Sequence, residues 1–200
     1  GLKFFCISSR ISTSYLFYHH MKKFLWSLFE IVETVAVVLI AVFLVRTFVA
    51  QPFLVSGASM EPNFEDGNYL LVDEVTYRFR EPERGEVVVF RYPGNHKSYY
   101  IKRIIGLPGE RVVVSDKGVT IYAPDGQGRI LGENYITQVF SYQPLDRVLD
   151  GQEYFVMGDN RNFSFDSRSW GPLKRSEVVG VARLRLWPIN RVMAFEKPNY

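Results

Sequence analysis

Ser59, Lys102 and a polar run over residues 158–171 carry the residue types from which nucleophilic chemistry is built. Ser59 stands in Val55-Ser56-Gly57-Ala58-Ser59-Met60-Glu61-Pro62, a short irregular stretch just after a strongly apolar segment. A serine hydroxyl is a weak nucleophile until a neighbouring base takes its proton. Lys102 is the candidate base. If residues 99–105 form a strand, alternation puts Lys102 on one face with Tyr100 and Ile104, and Arg103 on the other with Ile101 and Ile105. A lysine among apolar neighbours loses hydration, so its pKa falls from about 10.4 and the neutral amine can accept a proton. The same pattern also suits a strand lysine that snorkels to water. The strand by itself leaves both open.

A Ser-His-Asp triad competes with this pairing. Only His96 lies beyond the apolar segment, in Pro93-Gly94-Asn95-His96-Lys97-Ser98, which reads as an exposed turn. A Ser-Lys dyad suits a chain with no usable histidine. The run over residues 158–171, Gly158-Asp159-Asn160-Arg161-Asn162-Phe163-Ser164-Phe165-Asp166-Ser167-Arg168-Ser169-Trp170-Gly171, is dense in short polar side chains that bond to their own backbone. Within it, Ser164 is a candidate donor to the Lys102 amine, and Asp166 and Arg168 are candidates to pair and brace the loop. A solvated polar turn is the plainer alternative. Asn162-Phe163-Ser164 also matches the N-glycosylation pattern, taken as coincidence.

Positioning these residues requires a domain. The chain has 200 residues, enough for one membrane segment and one soluble domain of ordinary size. A net charge of +3 with dispersed basic residues argues against nucleic-acid binding. The single cysteine, Cys6, excludes an intrachain disulfide and a cysteine-rich metal site, and His19, His20 and His96 do not make a zinc site. No metal and no cofactor are expected.

Residues 1–20 contain no acidic residue and precede Met21-Lys22-Lys23, which reads like a natural start, so they are set aside as an extension. Residues 21–50 hold the start and the anchor. Residues 24–49 are apolar apart from Ser27, Glu30, Glu33, Thr34, Arg46 and Thr47, and residues 35–45 are apolar all round. With its flanks this run reaches the roughly 20 residues that a bilayer crossing needs, Arg46 snorkelling at one interface. Lys3, Arg10, Lys22 and Lys23 before the span favour a cytoplasmic N-terminus. No small-residue cleavage site follows, so an uncleaved anchor is expected. Residues 51–200 change to strands and turns. Strand candidates are residues 69–72, 86–91, 99–105, 111–114, 119–122, 154–157 and 178–186, separated by Gly, Pro, Asn and Asp turns, with one helical turn near residues 174–178. The soluble part reads as mainly antiparallel β.

Together the clusters and the anchor resemble the bacterial type I signal peptidases (leader peptidases, peptidase S26) in the short form with a single anchor. Ser59-Met60-x-Pro62 is similar to that family's nucleophile motif. Tyr100-Ile101-Lys102-Arg103-Ile104-Ile105-Gly106-Leu107-Pro108-Gly109-Glu110 is similar to its lysine motif, and residues 158–171 to its third signature. The match covers roughly residues 33–187, with the motifs in the family's order. The resemblance implies Ser59 as nucleophile, Lys102 as general base, Ser164 as the serine that orients the lysine, and Asp166 with Arg168 as a structural ion pair. It implies coiled antiparallel sheets, shared in part with self-cleaving repressor proteases, behind one transmembrane helix, with a variable β insertion near residues 111–151.

The substrates so implied are secretory preproteins with small residues one and three positions before the cut. They would lie as an extended strand against pockets lined by Phe53, Val55 and Ile101. Family oxyanion holes use the nucleophile's own N–H and, in some members, a serine hydroxyl two positions earlier. Here that position is Gly57, and Ser56 is one residue too far back. The implied location is the bacterial plasma membrane, crossed once, with the catalytic domain extracytoplasmic. Phe53, Phe64 and Trp187 are candidates for an apolar rim at the lipid interface, with ordinary core packing the plainer reading of each one singly. Two alternatives are a dedicated maturation peptidase on this scaffold and a non-catalytic anchored β domain.

Overall fold

No glycine or proline interrupts residues 5–48, and this stretch is one α-helix, α1 (Phe5–Phe48, 44 residues). The computed structural model describes residues 5–48, 50–136, 144–198 and 200, and on α1 the side chains of Tyr18 and of Met21–Leu44. Helix α1 is continuous through residues 5–20, which the sequence reading sets aside. Met21–Leu44 has a mean hydropathy of 2.3, and its side chains are exposed on every face. Its 24 residues rise about 36 Å, long enough for a ~30 Å hydrocarbon core. Arg46, expected at one interface, lies outside the described side chains. Residues 1–47 and 48–200 are separate compact units.

The second unit is mainly antiparallel β. Its strands are β1 (Ala50–Leu54), β2 (Tyr69–Asp73), β3 (Val87–Tyr92), β4 (Asn95–Gly106), β5 (Arg111–Ser115), β6 (Gly118–Tyr122), β7 (Gly128–Ile130), β8 (Leu145–Val148), β9 (Glu153–Met157), β10 (Leu173–Lys174), β11 (Val178–Trp187) and β12 (Met193–Ala194). One sheet runs β1-β2-β11-β3-β4-β9-β10 with β12 also on β11, and a second runs β7-β6-β5-β8. Residues 111–148 therefore supply a sheet of their own. The two sheets share a core of Ile105, Phe155 and Met157 with Val112, Val114 and Ile121, so the second sheet closes over one end of β4 and β9. The opposite face of β4 packs Ile104 against Val88, Phe90 and Val156, with Tyr100 alongside. Each such side chain, fully buried, contributes about 1.5–3 kcal/mol. This two-sided burial holds residues 102–106 of β4 in the core, with Lys102 at the start of the buried part.

Each expected strand overlaps an observed one, with differences at the ends. Glu86 precedes β3 because its carboxylate accepts the Tyr77 hydroxyl (2.9 Å) and the Glu83 N–H (2.9 Å) and pairs with Arg80, which holds it in the turn. His96, expected in a turn, falls in β4, because the β3–β4 hairpin closes tightly after Tyr92. Strand β1 carries Pro52, which reads as a breaker, yet an edge strand has no need of that N–H. The helical turn near residues 174–178 is a 3-10 turn at Arg175–Glu177. A short helix not anticipated, α2 (Ser167–Trp170), is capped by Asp166. Phe64, a rim candidate for which core packing is the plainer reading, is fully buried, its ring tilted against Phe195 at 4.3 Å beside Met60, Leu70 and Val87. Trp187 is half-exposed.

Candidate active site

The loop from β1 to β2 is built so that two apolar side chains hold it down and a serine stays up. Met60 and Phe64 are fully buried, while Ser59 between them and Gly57 keeps partial access to solvent. Backbone bonds fasten the loop at both ends: Val55 N–H donates to Asn68 O at 2.8 Å, and Phe64 N–H to Met60 O at 2.9 Å. Gly57 has φ +90°, where a side chain would be strained, and its N–H donates to Asp66 Oδ1 at 2.7 Å.

Strand β4 brings Lys102 to this loop. Its Nζ lies 2.7 Å from Ser59 Oγ and 2.9 Å from Ile101 O, with the Tyr100 ring centroid at 5.6 Å. Lys102 is only 4% exposed. Burial is the main cause of a pKa lowered from 10.5 to about 8, and Arg168 pushes the same way, against Asp166 and Asp159. As an ammonium, Nζ donates to Oγ; as an amine, it can accept the Oγ–H proton and still donate to Ile101 O.

The third cluster folds against both. A Cβ on Gly158 would collide with Ser59 O and with Ser164 Oγ, so the absence of a side chain lets this loop press on the serine loop. Asp166 is fully buried, accepts the Gly158 N–H at 3.0 Å, and holds Arg168 through two bonds of 2.8 Å. Burial alone would raise its pKa, but Arg168 and the Gly158 N–H hold the carboxyl below its ordinary value. Arg168 reaches on to Arg161 O at 2.8 Å, tying the loop across its width.

Ser164 does not take the place expected of it. Its Oγ is buried without a hydrogen-bond partner, and Nζ of Lys102 is held instead by Ser59 and by Ile101 O. The hydroxyl lies close to Asp166 and favours that carboxylate's charged form, without reaching hydrogen-bond geometry. His96 is exposed and bonded to Glu177 at 3.1 Å, away from Ser59.

Phe53, Val55 and Ile101 line one cleft of about 480 Å³ together with Ser59 and Lys102. Tyr99, edge-on to Phe53 at 5.5 Å, and the exposed Phe163 and Phe165 extend that cleft and went unnoticed in the sequence. Also missed was the buried pair of Arg103 and Asp159, joined by bonds of 2.8 and 2.6 Å. Burial opposes the Arg103 charge, but Asp159 outweighs it and raises the pKa. A charged residue on the face of β4 opposite Lys102, among isoleucines, was the available signal. Among the described residues no cluster of histidine, cysteine and carboxylates is arranged to hold a metal ion.

A serine hydroxyl 2.7 Å from a dehydrated lysine in an apolar cleft is suited to acyl transfer. The sequence comparisons point to the same class. Residues 28–187 match the family model described as signal peptidase, peptidase S26. A probable signal peptidase I-2 of Synechocystis sp. is 41% identical over 82% of this chain and 75% of its own length. Signal peptidase I of Leptolyngbya laminosa is 36% identical over 82% of each chain. Signal peptidase IB of Staphylococcus aureus is 32% identical over 85% of this chain and 93% of its own. A signal peptidase I crystal structure from Enterococcus faecalis is 33% identical, covers 51% of this chain and 97% of its own, and gives a TM-score of 0.42. The chain belongs to the signal peptidase family, peptidase S26. Its enzyme class is that of signal peptidase I, a serine peptidase.

Proposed function

We propose that this is a membrane-anchored serine endopeptidase that removes N-terminal signal peptides from secreted preproteins, with Ser59 as nucleophile and Lys102 as general base. The observation that carries the reading is the 2.7 Å contact between Ser59 Oγ and the buried Lys102 Nζ. Neutral Nζ accepts the Oγ–H proton as Oγ bonds to the scissile carbonyl carbon and the π pair moves to oxygen. On collapse the C–N bond breaks, and the Lys102 ammonium returns the proton to the leaving amine. The signal peptide stays as an ester on Ser59 until water, deprotonated by the same amine, hydrolyses it. The Asp166–Arg168 pair braces the loop behind Lys102, and Ser164, beside Gly158, makes no hydrogen bond to the amine.

Substrate binds as an added strand. Among the described residues, β4 pairs with β9 only from Arg103 onward, which leaves the edge of residues 99–102 open beside Ser59. Strand β1 is an edge strand as well. A chain laid between them meets Phe53, Val55 and Ile101, whose crowding favours small side chains next to the cut. The Met21–Leu44 stretch spans the bilayer with Lys22 and Lys23 on the cytoplasmic side, and Ser59 follows Phe48 by only eleven residues.

The test is processing of a preprotein by the full chain in proteoliposomes. Ser59→Ala and Lys102→Ala each lower cleavage by at least about 10³-fold while remaining folded and membrane-bound. Full activity in either variant overturns the reading.

A further inference from the structure

Asn160 is the residue in the third cluster whose position the proposed mechanism has not used. Its backbone N–H donates to Ser59 O at 3.1 Å, and its side-chain Nδ2 donates to Ala58 O at 3.0 Å. One residue therefore grips two consecutive carbonyls of the nucleophile loop, from 102 residues away in sequence. Asn160 is 3% exposed, and its Oδ1 is buried with no partner. Ala58 O also accepts the Glu61 N–H at 3.2 Å.

The consequence lies in the geometry of the peptide bond. In a trans peptide the C=O of one residue and the N–H of the next point in opposite directions. Fastening Ala58 O to Asn160 therefore fixes the Ser59 N–H on the far side of that peptide. Among the described residues nothing accepts the Ser59 N–H, although Ala58 and Ser59 both line the cleft. An unspent backbone donor at the nucleophile is what a developing oxyanion needs, provided that the donor is held in place beforehand. Gly57 offers no side chain to share that duty, and its own N–H is spent on Asp66.

We infer that Asn160 is a positioning residue for the reaction: its carboxamide sets the orientation of the Ala58–Ser59 peptide, so that the Ser59 N–H meets the oxyanion of the tetrahedral intermediate. This rests on Ser59 being the nucleophile. The orphaned Oδ1 marks the asymmetry of the role, since only the donor half of the amide is used. Asp at this position keeps the shape but sets an oxygen against Ala58 O, and Ala removes the grip while leaving the backbone bond to Ser59 O available.

The experiment measures preprotein cleavage by the full chain for Asn160→Ala and Asn160→Asp, normalised to the folded fraction from circular dichroism. A peptide boronate, which forms a tetrahedral adduct on serine, is titrated in parallel. The expected result is a kcat lowered about 10- to 100-fold in Asn160→Ala and further in Asn160→Asp, with KM within about twofold. Boronate affinity should fall in step with kcat/KM. Loss of kcat only in proportion to the folded fraction, a rise in KM at constant kcat, or unchanged boronate affinity overturns the assignment. Ser59→Ala measured alongside separates the two failures. If it stays active, the nucleophile reading falls; if it is dead while the Asn160 variants match the parent, only the role of Asn160 falls.

Discussion

Replacing Lys102 by Met should abolish cleavage and at the same time change how stability depends on pH. A pKa lowered from 10.5 to about 8 means that the fold holds the charged lysine less well than water does. That difference corresponds to about 3 kcal/mol, and with Lys102 only 4% exposed little of it is screened away. Methionine fills a similar volume without charge, but leaves Ser59 Oγ and Ile101 O each short of a hydrogen bond, roughly 0.5–1.5 kcal/mol apiece. At pH 7 the variant should therefore be more stable by about 1–2 kcal/mol. The sign follows from proton counts. Between pH 8 and 10.5 the unfolded chain binds more protons at this site than the folded one, so the parent gains stability as pH rises, whereas the variant lacks this group. Denaturant unfolding of both proteins in the same detergent at pH 7 and pH 10 should show the parent gain about 2–3 kcal/mol relative to the variant, enough to cancel and reverse the variant's advantage; other titrating groups cancel in the comparison. A difference that stays constant across that range would refute the claim that the lysine is held dehydrated.

The parent's kcat/KM on a preprotein should rise about tenfold between pH 7 and 9, as Lys102 loses its proton around pH 8. A profile that levels off above pH 7 would point to a different base. Gly158→Ala should cost about 1–3 kcal/mol, seen as a lower unfolding midpoint, and should also reduce kcat, because the new Cβ presses on Ser59 O and Ser164. Unchanged stability and activity would mean that the two loops are not in close register.

The strands were legible wherever their alternation was strong. Residues 69–72 alternate in burial within the large sheet, whereas β11 departs from its sequence pattern: Val181 and Ala182 are both buried, and Arg185 is buried while Leu186 is exposed, because irregularities shift its register against β2. Strand β1 was hidden by Pro52, whose meaning depends on knowing that the strand lies at an edge. Strands β10 and β12 are two residues long and owe their existence to β9 and β11. In the site, Ser59 and Lys102 could be singled out by the company of the polar clusters beside an apolar segment and by the resemblance those clusters carry, since neither stands out by residue type alone. Asn160 could not, since its work is done by two bonds to carbonyls that no residue type announces. Ser164 shows the reverse: a plausible hydroxyl that lies near Asp166 and makes no hydrogen bond to Lys102.

The pairing of Ser59 with Lys102 is tested most directly by trapping the intermediate that it must form. The full chain in detergent is mixed with excess preprotein, quenched in acid during turnover, digested and mapped by mass spectrometry. An ester of the signal peptide on Ser59, absent from Lys102→Met, is the expected result. An adduct on Ser56 or Ser164, or turnover with Ser59 unmodified and dispensable, would contradict it.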